Sequence, residues 1–286
     1  MEERLLIATL GLLSLAVVVE YLSVNPVWVT VMLSAGIAYG SLAPVIAARK
    51  LYFLAGAAPH AAFLAAVAGI ALSGVLGLDR SFAALLVGLA LLYSIGLAIH
   101  RGRDPDIATS VFVAFTASTT VIAVYFVLSA YPLETDIATI VVGDPLLATR
   151  KEALISAILG ALCLAASGLT YCEQACIGID PDTARLSGAR IWVYDIILFT
   201  LLALVSVALV RIVGFVLEHV LVLLPASIAV TGAWSARSAF LVSLISGVSA
   251  SILGLSLALI LNQAPSGITG LTLLAVYIAL LIASKR

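Results

Sequence analysis

Residues 213–229 read Val-Gly-Phe-Val-Leu-Glu-His-Val-Leu-Val-Leu-Leu-Pro-Ala-Ser-Ile-Ala. An acid and an imidazole, Glu218 and His219, stand side by side in an otherwise apolar run. The tract 214–231 approaches the roughly 20 residues that carry a helix across the hydrocarbon of a bilayer. Working outward, nine further stretches have the same character: about 5–23, 26–47, 60–77, 82–99, 107–129, 152–171, 191–210, 237–262 and 268–284. Of the 286 residues, 63% are hydrophobic and 10% charged, against about 45–50% and about 25% in soluble domains. That much apolar side chain exceeds what one soluble core can bury. A soluble enzyme, a disordered chain and a collagen-like chain are excluded. The fold expected is all-α and integral to the membrane: a polytopic bundle of about ten transmembrane helices, forming one domain over 1–286.

Charge placement sets the topology. An eleventh tract, 137–149, is too short to span and carries Gly143-Asp144-Pro145, where Asp144 can cap and Pro145 can open a new helix. Segments of that length are re-entrant or interfacial more often than spanning. With a cytoplasmic N-terminus and a re-entrant 137–149, ten of the fourteen Lys and Arg residues lie inside and four (Arg80, Arg150, Lys151 and Arg211) outside. If 137–149 crossed, the split would fall to eight and six. The expectation is therefore ten spans in the cytoplasmic membrane with both termini inside. Acids precede the first apolar run and no small-residue cleavage site follows it, so the N-terminus reads as a retained helix and not a signal peptide.

Other features narrow the class. Ala58, Ala62 and Ala66 form one small-residue stripe and Ala61, Ala65 and Gly69 the next, which lets helix backbones approach closely in lipid. Fourteen basic against fifteen acidic residues leave a net charge of −1, with no field for nucleic acid. Three cysteines, Cys163, Cys172 and Cys176, build no disulfide scaffold, and no second pair completes Cys172-x-x-x-Cys176 as a metal site. No Gly-x-Ser-x-Gly elbow, His-Glu-x-x-His helix or Gly-x4-Gly-Lys-Ser/Thr loop occurs, so the chain is not expected to be an enzyme or to bind ATP itself.

Ionisable residues inside a membrane are costly and mark function by default. Glu218 and His219 offer oxygen and nitrogen donors to a divalent transition metal. The competing reading is a buried ion pair that fixes packing, since adjacent residues point about 100° apart on a helix. His60, after Pro59 at the start of the third tract, is the next candidate ligand, against the reading of a solvated interfacial residue. Glu20 reads as snorkelling to the headgroups. Asp195 lies near an interface, and His100 joins Arg101 and Arg103 in a solvated cytoplasmic boundary. The longest polar loop, 172–190, contains Asp180-Pro181, an N-cap followed by a first-turn proline, then Asp182, Ala184 and Gly188. A short amphipathic helix there suits docking of a cytoplasmic partner, or is an ordinary connecting turn.

Four stretches, in order, resemble the membrane permeases of zinc/manganese/iron-type metal ABC importers. They are Arg49-Lys-Leu-Tyr52-Phe53 leading to Pro59-His60-Ala61; Val142-Gly143-Asp144-Pro145-Leu146-Leu147-Ala148-Thr149; Asp180-Pro181-Asp182-Thr183-Ala184 with Gly188; and Val213-Gly214 through Leu223-Leu224-Pro225-Ala226-Ser227-Ile228-Ala229. The resemblance covers about 36–284 and leaves 1–35 as an added N-terminal helix. Ser227 replaces an alanine of the pattern, and Glu218-His219 fill positions expected to be apolar or small. The resemblance implies a fold like that of cobalamin and siderophore importer permeases and a homodimer around a central path. It implies two cytoplasmic ATPase subunits docked on the loop of Asp180, Pro181, Asp182, Ala184 and Gly188, and an extracellular metal-binding protein that delivers the ion. No permanent cofactor is expected; the divalent ion is cargo, moved by alternating access. A metal-chelate permease of the same fold and an ion-coupled secondary transporter are the alternatives.

Overall fold

The computed structural model describes residues 23–130 and 137–284, with Ala16, Val19 and Glu20 ahead of them. The expected first span, 5–23, falls almost wholly outside the described residues. Within them the elements are helical: α1 (Pro26–Ala48), α2 (Tyr52–Leu76), α3 (Arg80–His100), α4 (Pro105–Ala130), the short α5 (Ile137–Val142), a 3-10 turn (Pro145–Leu147), α6 (Arg150–Ile179), the short α7 (Pro181–Leu186), α8 (Ile191–Val213), α9 (Phe215–Gly232), α10 (Ala236–Leu261) and α11 (Pro265–Ser284). Nine of these are long and apolar enough to cross a membrane, matching the nine expected tracts that lie in the described residues.

The helix ends follow local chemistry. Asn25 accepts a hydrogen bond from the Val27 amide at 3.0 Å, and Asp79 from the Phe82 amide at 3.0 Å. Thr149 and Glu152 form a reciprocal capping box at the start of α6, satisfying amides that a helix start leaves without partners.

Helix α1 is the axis of the bundle, packed on α6, α10 and α9, while α2 packs on α3, α4 and α8. Small residues make this possible. A Cβ on Gly36 would meet the Gly247 carbonyl at 2.8 Å, and Ser243 Oγ donates to the Gly40 carbonyl at 2.9 Å. On the opposite side Gly160 of α6 lies against the Ser34 carbonyl. The two alanine stripes of α2 are buried as expected, and Gly69 meets the backbone of Arg80 and Ala84. Helix α4 instead shows Val111, Val121, Ile122 and Tyr125 at the surface, a face suited to lipid.

Three expectations change. First, α6 continues through 172–179, so the polar loop begins at Asp180 and not at 172. Gln174 and Ile177 are buried there, and Gly178 packs directly on the Ala48 backbone, which favours continued helix over a solvated loop. Second, α2 begins at Tyr52, so His60 lies two turns inside the helix and Pro59 is internal to it; Pro59 leaves the Ala55 carbonyl without its helical donor, a cost that packed neighbours offset within membranes. Third, Glu20 does not snorkel: it is 6% exposed, and Ser256 Oγ donates to its Oε1 at 2.7 Å.

Candidate functional site

Helices α2 and α9 bring His60 and His219 together. Their ring centroids are 5.3 Å apart in an edge-to-face arrangement, and Phe215 stands against both, at 5.1 Å from His60 and 4.5 Å from His219. Both imidazoles are half-buried. His219 Nδ1 is 3.0 Å from the Phe215 carbonyl, one turn earlier in α9. A carbonyl only accepts, so Nδ1 carries the hydrogen toward Phe215, and the Gly56 carbonyl also lies against the ring. That assignment is inferred from the geometry of the partner.

Glu218 does not join them. It is 0% exposed and points to the other side of α9, where its neighbours are Tyr39 of α1 and Ser206 of α8. Neither carboxylate oxygen, nor Tyr39 Oη, nor Ser206 Oγ closes a hydrogen bond of normal geometry. Among the described residues no ion pair joins Glu218 to His219 or to any other cation, so the packing pair that the sequence allowed is not formed. Nor, among the described residues, does any group of three or more His, Cys, Asp or Glu side chains stand close enough to hold a metal ion. Any ion at His60 and His219 would be held by few protein ligands, as suits a site that must release what it binds.

The segment 137–149 is broken as its composition suggests. Asp144 accepts from the Leu146 amide at 3.0 Å and Pro145 opens the 3-10 turn. Gly143 (φ +69°) and Gly214 (φ +89°) lie back to back: a Cβ on Gly143 would strike the Val213 carbonyl group and Gly214 N, and one on Gly214 would strike the Val142 carbonyl and Gly143 N. This break therefore docks on the junction of α8 and α9, four residues before Glu218.

At the opposite end of the bundle, Asp180 caps α7. Its carboxylate accepts from the Thr183 hydroxyl and from the Thr183 and Asp182 amides, which holds its pKa below the ordinary carboxylate value, the hydroxyl bond first. Asp182 pairs with Arg185 at 2.8 Å, both exposed; Ala184 is buried, and Gly188 ends the turn at φ +89°. Leu186 is 89% exposed, an apolar side chain held outward on a capped helix.

A cluster beside this helix had no local signature. Arg49 Nη2 meets Asp195 Oδ1 at 2.5 Å, Arg49 Nη1 donates to Gln174 Oε1 at 2.8 Å, and His100 Nδ1 is 3.0 Å from Asp195 Oδ2. Gln174 Nε2 donates in turn to the Tyr194 carbonyl at 3.0 Å. His100 is thus paired and not simply solvated. The four side chains tie together the ends of α1, α3, α6 and α8. The expected topology put Arg49, His100 and Asp195 at one membrane face, and that shared level was the signal available.

A model of the ABC 3 transport family matches residues 20–284. The chain is 27% identical over 252 residues, 88% of each chain, to the manganese import system permease protein ScaB of Streptococcus gordonii. It is 24% identical over 254 residues, again 88% of each, to the manganese transport system membrane protein MntC of Listeria monocytogenes. Among solved structures, PsaBC from Streptococcus pneumoniae in complex with Fab superposes with a TM-score of 0.76 at 24% identity, over 92% of this chain and 94% of that one. An inward-facing metal-chelate type ABC transporter superposes with a TM-score of 0.71 at 13% identity, over 98% and 99%. The all-helical bundle, its spans and its broken segments are accordingly a permease fold, and the chain belongs to the ABC 3 transport family.

Proposed function

We propose that this chain is the membrane permease of an ABC importer that carries a divalent metal ion (zinc, manganese or iron) across the cytoplasmic membrane by alternating access. The observation that carries the reading is the pairing of His60 and His219, two half-buried imidazoles from different helices of a membrane permease. Two neutral nitrogens give a dehydrating ion a foothold without holding it. The names of the streptococcal and Listeria relatives support metal import. In this reading Glu218 lies behind the path wall, and the Gly143-Asp144-Pro145 break braces the α8–α9 junction as a gate. Two permease copies enclose the path, cytoplasmic ATPase subunits dock on Asp180, Pro181, Asp182, Ala184 and Gly188, and an extracellular metal-binding protein supplies the ion. Both termini lie in the cytoplasm, and no cofactor stays bound.

The test is ATP-dependent uptake into proteoliposomes containing the permease, its ATPase and its binding protein, with zinc, manganese and iron offered separately. Uptake that needs all three components and falls with His60→Gln or His219→Gln supports the reading. Absence of uptake of any free ion, with the complex intact and hydrolysing ATP, transfers the assignment to a metal-chelate permease. That second reading is favoured by the near-complete superposition on the metal-chelate type transporter.

A further inference from the structure

Helices α3 and α6 both pack on α8, and between them the bundle leaves a cavity of about 500 Å³, within the roughly 300–1,000 Å³ of small-molecule sites. Its floor is buried and apolar: Ala66, Ala84, Ile140 and Val207. Its lips, Phe82 and Ile155, are exposed, so it opens at the surface of the bundle. A second recess of about 530 Å³ adjoins it and is lined by polar groups around the α2–α3 turn, Ser73, Asp79 and Ser81 among them. Arg211, in the last turn of α8, borders both spaces, as does Arg80. The acids nearby are engaged by backbone amides at helix starts: Asp79 accepts from Phe82, Asp144 from Leu146 and Glu152 from Thr149. Among the described residues none of the three forms an ion pair with Arg211.

We propose that these adjoining spaces form a phospholipid site, with one acyl chain in the apolar cavity, the phosphate diester on Arg211 and the headgroup in the polar recess. Lipid that merely coats a helix needs only an apolar surface; here alanines at 66, 84 and 208 hollow a slot below that surface. A hydrocarbon chain alone fills the slot and leaves the cation unmatched, and a free anion matches the cation and leaves the slot empty. A molecule that carries both fits the juxtaposition. The guanidinium presents paired N–H donors to phosphate oxygens and is more weakly hydrated than an ammonium. The Ser81 hydroxyl, which also borders both spaces, adds a donor. A chain in the slot rests on Ile140 of α5, so the lipid braces the 137–149 segment that docks on the α8–α9 junction. Arg211 also suits the negative end of α8, a role that needs no phosphate and that experiment separates from lipid binding.

The experiment titrates the full-length, delipidated permease in detergent with dioleoyl phosphatidylglycerol and with dioleoylglycerol, which has the same chains and no phosphate, and counts bound lipid by native mass spectrometry. Wild type is expected to bind the phospholipid tighter by about 10-fold or more, the scale of one hydrogen bond to a charged group. Arg211→Gln should remove that preference and leave dioleoylglycerol binding unchanged. Ala208→Phe, which fills the slot, should weaken binding of both lipids. Equal binding of the two lipids by wild type overturns the proposal, because the phosphate then meets no specific partner. A preference that survives Arg211→Gln overturns it as well, as does wild-type affinity for both lipids in Ala208→Phe. Arg211 is exposed, so Arg211→Gln leaves the core intact and decides the proposal even if Ala208→Phe fails to fold.

Discussion

The contact between Gly143 and Gly214 gives the sharpest prediction. Gly214 has φ +89° and ψ 150°, a region open to glycine alone. Alanine there costs about 2 kcal/mol for the backbone conformation. Its Cβ would also strike the Val142 carbonyl and Gly143 N, which are backbone atoms with no rotamer to yield. Separating the two breaks adds at least about 1 kcal/mol, the scale of overpacking in a filled core. Gly214→Ala should therefore lose at least about 3 kcal/mol. Gly77 is the control: its φ is +67°, yet nothing lies within 4 Å of an added Cβ, so Gly77→Ala should cost only about 1 kcal/mol. The difference of about 2 kcal/mol is roughly 30-fold in the unfolding equilibrium. Reversible denaturant unfolding in mixed micelles, followed by tryptophan fluorescence, measures both variants side by side. A difference of only about 1 kcal/mol, the gap between the two backbone costs, would mean that docking of the 137–149 break on the α8–α9 junction contributes nothing, and equal losses would refute the backbone argument as well.

Three other outcomes are expected. Asp195→Ala strands Arg49, whose side chain is only 12% exposed, and should cost about 3 kcal/mol in the same unfolding assay; Arg49→Ala with Asp195→Ala should cost less than the sum of the two single changes. If α7 is the dock proposed for an ATPase subunit, Asp182→Arg should abolish co-purification with that subunit while leaving unfolding near wild type, since the Asp182–Arg185 pair is solvent-exposed; an intact complex would count against α7 as the dock. The depressed pKa of Asp180 means that its cap holds α7 fully above the ordinary carboxylate pKa, near 4, and is lost as pH falls through the lower, folded value. Protection of the 182–188 amides from hydrogen exchange, relative to their intrinsic rates, should fall only below about pH 4, and Asp180→Asn, a neutral cap, should remove that pH dependence.

Much of the architecture was open to reading because a bilayer imposes it. A span needs length and apolarity, both local properties, so the nine tracts in the described residues appear as nine spans. The break at Gly143-Asp144-Pro145 and the cap at Asp180 are also local, each decided by a side chain and an amide two or three residues away. The ends of helices were harder to place. Residues 172–179 look polar in isolation, yet Gln174 finds Arg49 and Tyr194 and Gly178 finds Ala48, so the helix continues. Pro59 looks like a helix start, but α2 begins at Tyr52 because its first turns pack against neighbouring helices.

The sequence by itself determined the class of molecule, the nine spans among the described residues and the identity of the histidines, since hydropathy and residue type do not depend on distant partners. Only the tertiary structure decided which polar groups meet. Glu218 and His219 are adjacent in the chain and part company, because a helix turns them to different faces, one toward α1 and α8 and the other toward α2. His60 and His219 are 159 positions apart and share one site, because α2 and α9 pack where Gly56 and Leu223 let them touch. Arg49, His100, Gln174 and Asp195 converge from four helices for the same reason: a polar group excluded from water and lipid is satisfied by whichever partner packing brings, and sequence distance has no part in that choice.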